Sequence, residues 1–305
     1  MRATTPRAMI GQWHPGRWFP TNRRKRKEFI LKAVFTLLVG LLAFTMIIPF
    51  LWMLSASLKI SADVLKLPIE WIPRYIYLDN FKVVWNIGDL APRNYHFLLS
   101  YYNSLKVSTI NMVFGVLTSS LAGYAFAKIR FRGANTVFLL YLSTMMIPSQ
   151  VTLIPKFVLF DMMNIMGTHL TLILPGVVTI TGTFLMRQFF LQVPTELIEA
   201  AHIDGASEFR TWAQIMVPIA QPAMASLALI VFLWSWNNYL DALVFLRDWR
   251  TYTIPVALNN FIDESITEYN LVMAASVSAL LPVFLVFLAG QRFFIKGLTA
   301  GAVKG

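Results

Sequence analysis

The stretch EAAHIDGASEFRTWAQIMVPIAQP, residues Glu199 to Pro222, lies between two long apolar runs of a chain that is 57% hydrophobic. It begins with acidic and alanine residues, contains a single glycine, and ends in a segment with two prolines. This composition is typical of a short water-exposed helix, a turn and a second helix, because alanine favours helix and glycine permits the turn. The stretch therefore predicts a helical hairpin that stands outside the apolar part of the fold.

The local signals of this hairpin begin just before the quoted stretch. Thr195 follows a proline and can cap a first helix with its hydroxyl, and two glutamates then lie at the positive end of the helix dipole. Gly205 permits the positive φ that ends this helix and turns the chain. Asp204 or Ser207 can cap a second helix. An apolar stripe at helical spacing is predicted along that second helix, formed by Phe209, Trp212, Ala213 and Met216.

Two interpretations of the hairpin are open. It can lie on a bilayer and serve packing alone, or it can dock with a soluble protein. Acidic and small residues gain little from contact with lipid, whereas alanine lets another protein approach the helix backbone closely. The composition of the first helix therefore favours docking.

The rest of the chain has the composition of a membrane protein. Charged residues make up only 13% of its 305 residues, and its mean hydropathy is +0.60. An α-helix needs roughly 20 apolar residues to cross the hydrocarbon core of a bilayer. Six runs meet this requirement, at about Ala33–Leu58, Asn103–Ala127, Thr136–Lys156, Leu170–Leu191, Pro222–Leu246 and Asn270–Ile295.

The positive charges are concentrated on segments that would face one side of the membrane. The net charge is +11, and the run RRKRK at Arg23 to Lys27 directly precedes the first apolar run. The loop KIRFRGAN and the tail QRFFIKG, after the second and sixth runs, are also basic. Since lysine and arginine are enriched in cytoplasmic loops, both termini are predicted to be cytoplasmic. The charge is therefore assigned to membrane topology and not to nucleic acid.

The chain lacks the residue patterns of most catalytic and metal sites. It has no cysteine, and its four histidines are isolated in sequence, with no pair at helical spacing. Thiol chemistry, metal binding and a membrane-embedded enzyme are therefore unsupported. The C-terminal sequence GLTAGAVKG lacks the Gly-Lys-Ser/Thr ending of a phosphate-binding loop, so neither a nucleotide nor a cofactor is expected on this chain.

The hairpin sequence resembles the EAA motif of ABC importer permeases. In that motif Glu-Ala-Ala is followed after three residues by glycine, and later by Ile-x-x-Pro and another proline. The matching residues are Glu199, Ala200, Ala201, Gly205, Ile215, Pro218 and Pro222. The segments NSLKVS, GYAFAKIRFRG, LTLILPG, WSWNNYLDAL and GLTAGAVKG are similar to the maltose-type carbohydrate uptake family. The resemblance covers most of the chain but not its first 28 residues.

This resemblance implies an all-α integral membrane fold, the type I ABC importer permease. Six transmembrane helices are expected, with a cytoplasmic helix-turn-helix insertion that couples the permease to an ATPase. The expected parts are a basic cytoplasmic tail at 1–28 and a permease domain at 29–305, with the insertion at about 192–221 and a cytoplasmic tail at 296–305. The implied location is a bacterial cytoplasmic (inner) membrane.

The resemblance also implies partners. These are a second homologous permease subunit, a dimer of ATPase subunits, an extracytoplasmic solute-binding protein and membrane lipid. ATP and Mg²⁺ are expected on the ATPase, whose closure would move the hairpin and switch the permease between inward-facing and outward-facing states. The C-terminal tail is expected either to reach into the ATPase dimer or to be a solvated end. By their position in the motif, the residues expected to contact the ATPase are Glu199, Ala200, Ala201, Asp204 and Gly205.

The fifth apolar run carries the densest cluster of polar side chains within a predicted span. Trp234, Asn237, Asn238 and Asp241 share one helix face. At a rise of about 1.5 Å per residue, Asp241 lies roughly 28 Å from Pro222, near the outer boundary of the membrane. Polar groups inside a span are costly and often mark a substrate pathway, here with tryptophan able to stack on a sugar ring. The alternative is that the asparagines bridge helices and the tryptophans form an interfacial belt.

Other functions and one further surface stay open. The solute could be a sugar or oligosaccharide, or a non-sugar such as a glycerophosphate. A secondary transporter is less supported, because no acid lies near mid-span and no inverted repeat is evident. The outer loop at about 59–102 is predicted to be a folded segment that either caps the membrane domain or docks an external partner.

Overall fold

The structure, a computed structural model, describes residues 23–87, 96–262 and 268–302, with the backbone alone for Arg23, Lys25, Asn260 and 292–302. Over these residues all regular structure is helical, which confirms the all-α fold class. The helices are α1 Arg23–Ser57, α2 Ser61–Val64, α3 Asp79–Val84, α4 Phe97–Lys128, α5 Ala134–Ser143, α6 Leu153–Met162, α7 Leu170–Gly176, α8 Ile180–Leu191, α9 Glu196–Ile203, α10 Glu208–Thr211, α11 Val217–Ile219, α12 Gln221–Trp236, α13 Leu240–Phe245, α14 Ile254–Ala257 and α15 Tyr269–Ala302.

The chain divides into two compact units. The first is Met1–Trp52, whose described part belongs to α1, and the second is Met53–Gly305. Residues 1–22 of the predicted basic tail and residues 303–305 of the predicted C-terminal tail lie outside the described residues. The predicted insertion at 192–221 corresponds to the segment between the end of α8 and the start of α12.

Four helical segments of the described chain are long and apolar enough to cross a membrane. They are Arg26–Ser57, Phe97–Lys128, Leu170–Leu191 and Tyr269–Gln291, and they coincide with the first, second, fourth and sixth predicted spans. A fifth is obtained if Glu208–Ile219 and α12, which meet at a bend of 83°, are counted as one broken span.

The prediction of a continuous third span over 136–156 was wrong. Helix α5 ends at Ser143, a single 3-10 turn follows, and α6 begins only at Leu153. The residue before Pro148 has extended backbone, with φ −81° and ψ 115°. The proline ring disfavours helical backbone at the preceding residue, which favours a break in the helix at this point.

The fifth predicted span is also shorter than expected, because it breaks between α12 and α13. The Asn237 side chain donates to the carbonyl of Leu233 over 2.8 Å, and the Asn238 side chain accepts from the backbone N–H of Asp241 over 3.4 Å. Asparagine side chains that bond locally to backbone groups compete with the helical hydrogen-bond ladder. The two asparagines therefore end one helix and begin the next.

Helix α4 is the central element of the second unit. It packs against both α8 and α12. Its buried face is made mostly of small residues, which let helix backbones approach closely within a membrane. The buried small residues of α4 are Ser100, Ser104, Ser108, Gly115, Ser119, Ser120 and Gly123.

Helices α4 and α8 approach closely at Gly123, and Gly123→Ala is expected to destabilise the fold. A Cβ atom there would lie 2.7 Å from Met186 Cβ and 2.8 Å from the backbone nitrogen of Arg187. Overpacking of this kind costs about 1–3 kcal/mol. The thermal unfolding midpoint of the purified protein in detergent should fall by several degrees. The control is Gly40→Ala, where a Cβ atom has no neighbour within 4 Å; equal midpoints for the two variants would contradict this packing.

The described part of the outer loop, up to Ile87, is held to the helices by one buried asparagine. The Asn80 side chain donates to the carbonyls of Ser57, over 2.8 Å, and Lys59, over 2.7 Å. It also accepts from the side chain of Asn270 over 2.8 Å. The loop is therefore a folded segment, as predicted, and its tip leaves Tyr75 and other apolar side chains exposed.

Candidate functional site

The hairpin turns at a glycine in the left-handed region, as predicted. Gly205 has φ +78°. The N–H of Ala206 donates to the carbonyl of Ala201 over 2.9 Å, and the N–H of Gly205 donates to that of His202 over 3.0 Å. These two bonds form a Schellman motif, the commonest way to close a helix with glycine. The turn thus has a defined geometry that depends on a positive φ.

The caps of the two hairpin helices follow the prediction in part. The Ser207 hydroxyl accepts from the N–H of Arg210 over 3.4 Å and caps α10. The Thr195 hydroxyl makes no capping bond, because Thr195 has helical backbone with φ −71° and ψ −26°. Its main-chain carbonyl instead accepts from the N–H groups of Ile198 and Glu199. The prediction of a Thr195 side-chain cap was wrong.

Helix α9 presents two different faces. Glu199, Ala200, Asp204 and Gly205 are exposed, and the apolar side chain of Ile203 next to them is 86% exposed. Ala201 is only 6% exposed and lies on the opposite face, beside the core residue Ile198. Of the five residues matched to ATPase contact, four therefore lie on the open face, and Ala201 packs inward.

The apolar stripe of the second hairpin helix is buried at two positions and exposed at one. Trp212 and Met216 lie in a core cluster with Met186 and Phe190, whereas Phe209 is 66% exposed. Residues Trp212–Met216 form one turn of π-helix. The rings of Phe209 and Trp212 are in contact, with centroids 5.3 Å apart, so the predicted stripe reaches Phe209, although this end of it is exposed.

Three side chains of α4 bind the hairpin at both of its ends, and we call Ser120, Tyr124 and Lys128 the α4 clamp. Lys128 Nζ donates to the carbonyl of Val193 over 2.6 Å, before α9. Tyr124 Oη donates to Glu208 Oε2 over 2.6 Å. Ser120 Oγ accepts from the indole N–H of Trp212 over 3.0 Å. The three clamp residues are four positions apart and thus share one face of α4.

The α4 clamp was missed from sequence, although its spacing was a usable signal. Ser120, Tyr124 and Lys128 recur every four residues at the end of a span, next to the basic loop. Nothing in the sequence indicates their partners, which lie between 65 and 92 positions along the chain. Glu208 is also held from the hairpin side, by His202 Nε2 at 3.4 Å.

The second part of the site is a cavity of about 710 Å³ between α6, α12 and α13, which we call the α12–α13 cavity. Both breaks in the predicted spans open into it. The break before α6 contributes Ser149 and Gln150, and the break after α12 contributes two asparagines. Irregular backbone at membrane depth is tolerated where it lines a cavity. The polar and aromatic residues that line it are Ser149, Gln150, Lys156, Trp234, Asn237, Asn238, Tyr239 and Asp241.

All four residues of the predicted pathway lie on the wall of this cavity. Asp241 is the best anchored of them. Its Oδ2 accepts from the side chain of Asn238 over 3.1 Å, and its Oδ1 lies 3.9 Å from Lys156 Nζ. Lys156 is not among the predicted pathway residues, because the sequence places it at the end of a predicted continuous third span.

A second, more apolar cavity of about 340 Å³ adjoins the α12–α13 cavity along α12. Both are lined by Ile230 and Trp234. The second cavity extends past Thr179 and Gly182, at the break between α7 and α8, to Leu227. Trp234 therefore stands between a polar compartment and an apolar one. Among the described residues no group of three or more His, Asp or Glu side chains could hold a metal ion.

Long apolar helices, a polar cavity between broken spans and an exposed helical hairpin define a transport permease. Residues 115–300 match the family described as binding-protein-dependent transport system inner membrane component, and the chain belongs to this family. The resemblance to importer permeases is thereby confirmed. The chain is a transport subunit of an inner membrane and not itself an enzyme.

Two relatives span nearly the whole chain. The arabinooligosaccharides transport system permease protein AraQ of Halalkalibacterium halodurans is 34% identical over 92% of this chain and 100% of its own length. The lactose transport system permease protein LacG of Rhizobium radiobacter is 31% identical over 93% of this chain and 99% of its own length.

A solved structure has the same fold. It is a chain of a bacterial ABC transporter involved in the import of the acidic polysaccharide alginate, with a TM-score of 0.76 and 24% identity. The match covers 90% of this chain and 98% of that one. At this identity the likeness concerns the fold, and it supports the type I importer permease architecture.

Proposed function

We propose that this chain is a permease subunit of an ATP-driven importer for a sugar or oligosaccharide. Both named relatives transport oligosaccharides or a disaccharide. The observation that carries the ATP-driven part is the open face of the hairpin, where Ile203 of α9 and Phe209 of α10 are exposed beside acidic residues. Exposed apolar side chains rimmed by polar ones mark sites of protein contact. The partner that fits is an ATPase subunit on the cytoplasmic side.

The hairpin would act as a lever between this ATPase and the membrane helices. Glu199, Ala200, Asp204 and Gly205 offer the docking face, and the buried Ala201 and Ile198 fix α9 to the core. The α4 clamp and the core cluster connect the hairpin to the membrane-spanning helices. A displacement of the hairpin would therefore move these helices with it. In this proposal both termini are cytoplasmic, and ATP with Mg²⁺ binds on the partner.

The α12–α13 cavity would be this subunit's share of the substrate pathway. Asn237, Asn238, Gln150 and Asp241 provide hydrogen-bond donors and acceptors, and Trp234, 59% exposed, provides a flat apolar surface. Hydroxyl groups of a sugar can pair with either kind of group. A second permease subunit would complete the pathway, and an extracytoplasmic solute-binding protein would deliver the sugar.

The test is uptake by the reconstituted transporter. The chain is purified with the subunits that co-purify, inserted into liposomes, and given arabinotriose, lactose or raffinose with the host's solute-binding protein. Uptake that requires ATP is expected for at least one of these sugars. Uptake that does not require ATP but depends on a proton gradient would contradict the proposal and indicate a secondary transporter. ATP-driven uptake of sn-glycerol 3-phosphate alone would contradict the assignment of a sugar as the substrate.

A further inference from the structure

The charges in the α12–α13 cavity are balanced. Lys156 and Asp241 are the only charged side chains among the described residues that line it. We propose that this pair restricts the cavity to uncharged polyhydroxylated solutes, which makes Lys156 and Asp241 specificity-determining residues. The inference rests on the proposed function and narrows it: neutral oligosaccharides pass, whereas uronates and sugar phosphates do not.

The position of the pair makes an unbalanced charge costly. The side chains of Lys156 and Asp241 are 27% and 20% exposed, so both are largely removed from solvent. Removing one partner of such a pair leaves the other charge without compensation in a partly desolvated site. A charged solute has the same effect, because it adds a charge for which the cavity holds no free counterpart.

The surroundings of Asp241 argue further against an anion site. Anions are bound where arginine, lysine or free N–H groups at a helix start point at the ligand. Asp241 occupies the first turn of α13, and its own backbone N–H is bonded to Asn238. A carboxylate at that end of the helix occupies the place of a bound anion and would repel one.

Neutral sugars fit the remaining groups. An ionised aspartate only accepts hydrogen bonds, a lysine ammonium only donates them, and an asparagine or glutamine side chain does both. A hydroxyl group can donate and accept, so a sugar can bridge Lys156 and Asp241 without adding charge. The adjacent face of Trp234 suits the apolar side of a sugar ring.

The test is a double-mutant cycle in the reconstituted transporter. ATP-driven uptake of arabinotriose, lactose and raffinose is compared with uptake of digalacturonate and sn-glycerol 3-phosphate, and the neutral sugar transported best is used for the variants. Asp241→Asn and Lys156→Gln alone should each lower its uptake about tenfold, because a lone charge remains. The double variant restores neutrality and should return to within about threefold of the wild type.

A matched pair provides the control. Asp79 and Lys82 on α3 form an ion pair of 2.7 Å outside the cavity, and the same substitutions there should leave uptake unchanged. Wild-type uptake of digalacturonate or sn-glycerol 3-phosphate would overturn the inference, as would a double variant that is less active than either single one. Both results leave sugar import itself standing. If no sugar enters in an ATP-dependent way, the proposed function fails and the inference fails with it.

Discussion

Gly205→Val is expected to stop transport and to leave the chain assembled with its partners. Gly205 has φ +78°, and a Cβ atom there meets nothing within 4 Å. The substitution therefore causes no clash inside the chain. A β-branched residue in this region is strained by about 1–3 kcal/mol, so the turn relaxes and breaks its bonds to Ala201 and His202. ATP-driven uptake should fall below about a tenth of the wild-type rate, since α9 then no longer points its open face at the partner.

A second glycine separates this effect from general backbone strain. Gly167 has φ +76° and also has no neighbour within 4 Å of a Cβ atom, but it lies in the loop before α7. Gly167→Val should assemble and transport. Gly205→Asn should retain much of the activity, because asparagine tolerates the left-handed region. Normal uptake by Gly205→Val would exclude a lever at this turn, whereas equal losses at both glycines would point to folding.

The fold was predictable from sequence where the pattern involves neighbouring residues only and extends over a long segment. Apolar runs of about twenty residues located four of the spans, and the Gly205 turn was correct to the residue. The breaks at Pro148 and at Asn237 were harder, because proline and asparagine are tolerated inside some membrane helices. Whether they interrupt a helix depends on whether a cavity lies beside them.

The site was predictable where a single helix face carries it. Trp234, Asn237, Asn238 and Asp241 could be grouped by helical spacing, and they share the wall of one cavity. Lys156 could not be added, since its distance to Asp241 is set by how α6 packs against α13. The π-turn at Trp212–Met216 was not predicted, because such a turn leaves no clear sequence signal.

The α4 clamp changes which helices the hairpin is expected to move. From the motif alone, the lever would act on the two spans that flank it in sequence. Tyr124 and Ser120 instead bind the exit side of the hairpin and Lys128 binds its entry side. Helix α4 also packs against both α8 and α12. The hairpin is therefore bonded directly to the central helix of the membrane domain, as well as joined to its flanking spans.

The double variant Ser120→Ala/Tyr124→Phe is expected to uncouple ATP hydrolysis from transport. Both changes lie on α4, so the docking face of the hairpin keeps its chemistry. Tyr124→Phe removes a hydrogen bond to a charged group, which costs about 1.5–3 kcal/mol, here at the low end because Glu208 is half-exposed. Ser120→Ala leaves the buried indole N–H of Trp212 unpaired, which costs about 1–3 kcal/mol. Uptake should fall on the order of a hundredfold if these energies hold the lever to α4.

The measurement pairs uptake with ATP hydrolysis by the same liposomes, because a merely unstable protein would lose both. We expect hydrolysis to persist while uptake is lost. The matched control is Ser108→Ala/Tyr102→Phe, which makes the same two changes on the same helix. The Ser108 hydroxyl is buried with no hydrogen-bond partner in the described part of the chain, and Tyr102 is exposed. If the clamp variant transports as well as this control, α4 is not part of the lever, and the hairpin acts through its flanking spans alone.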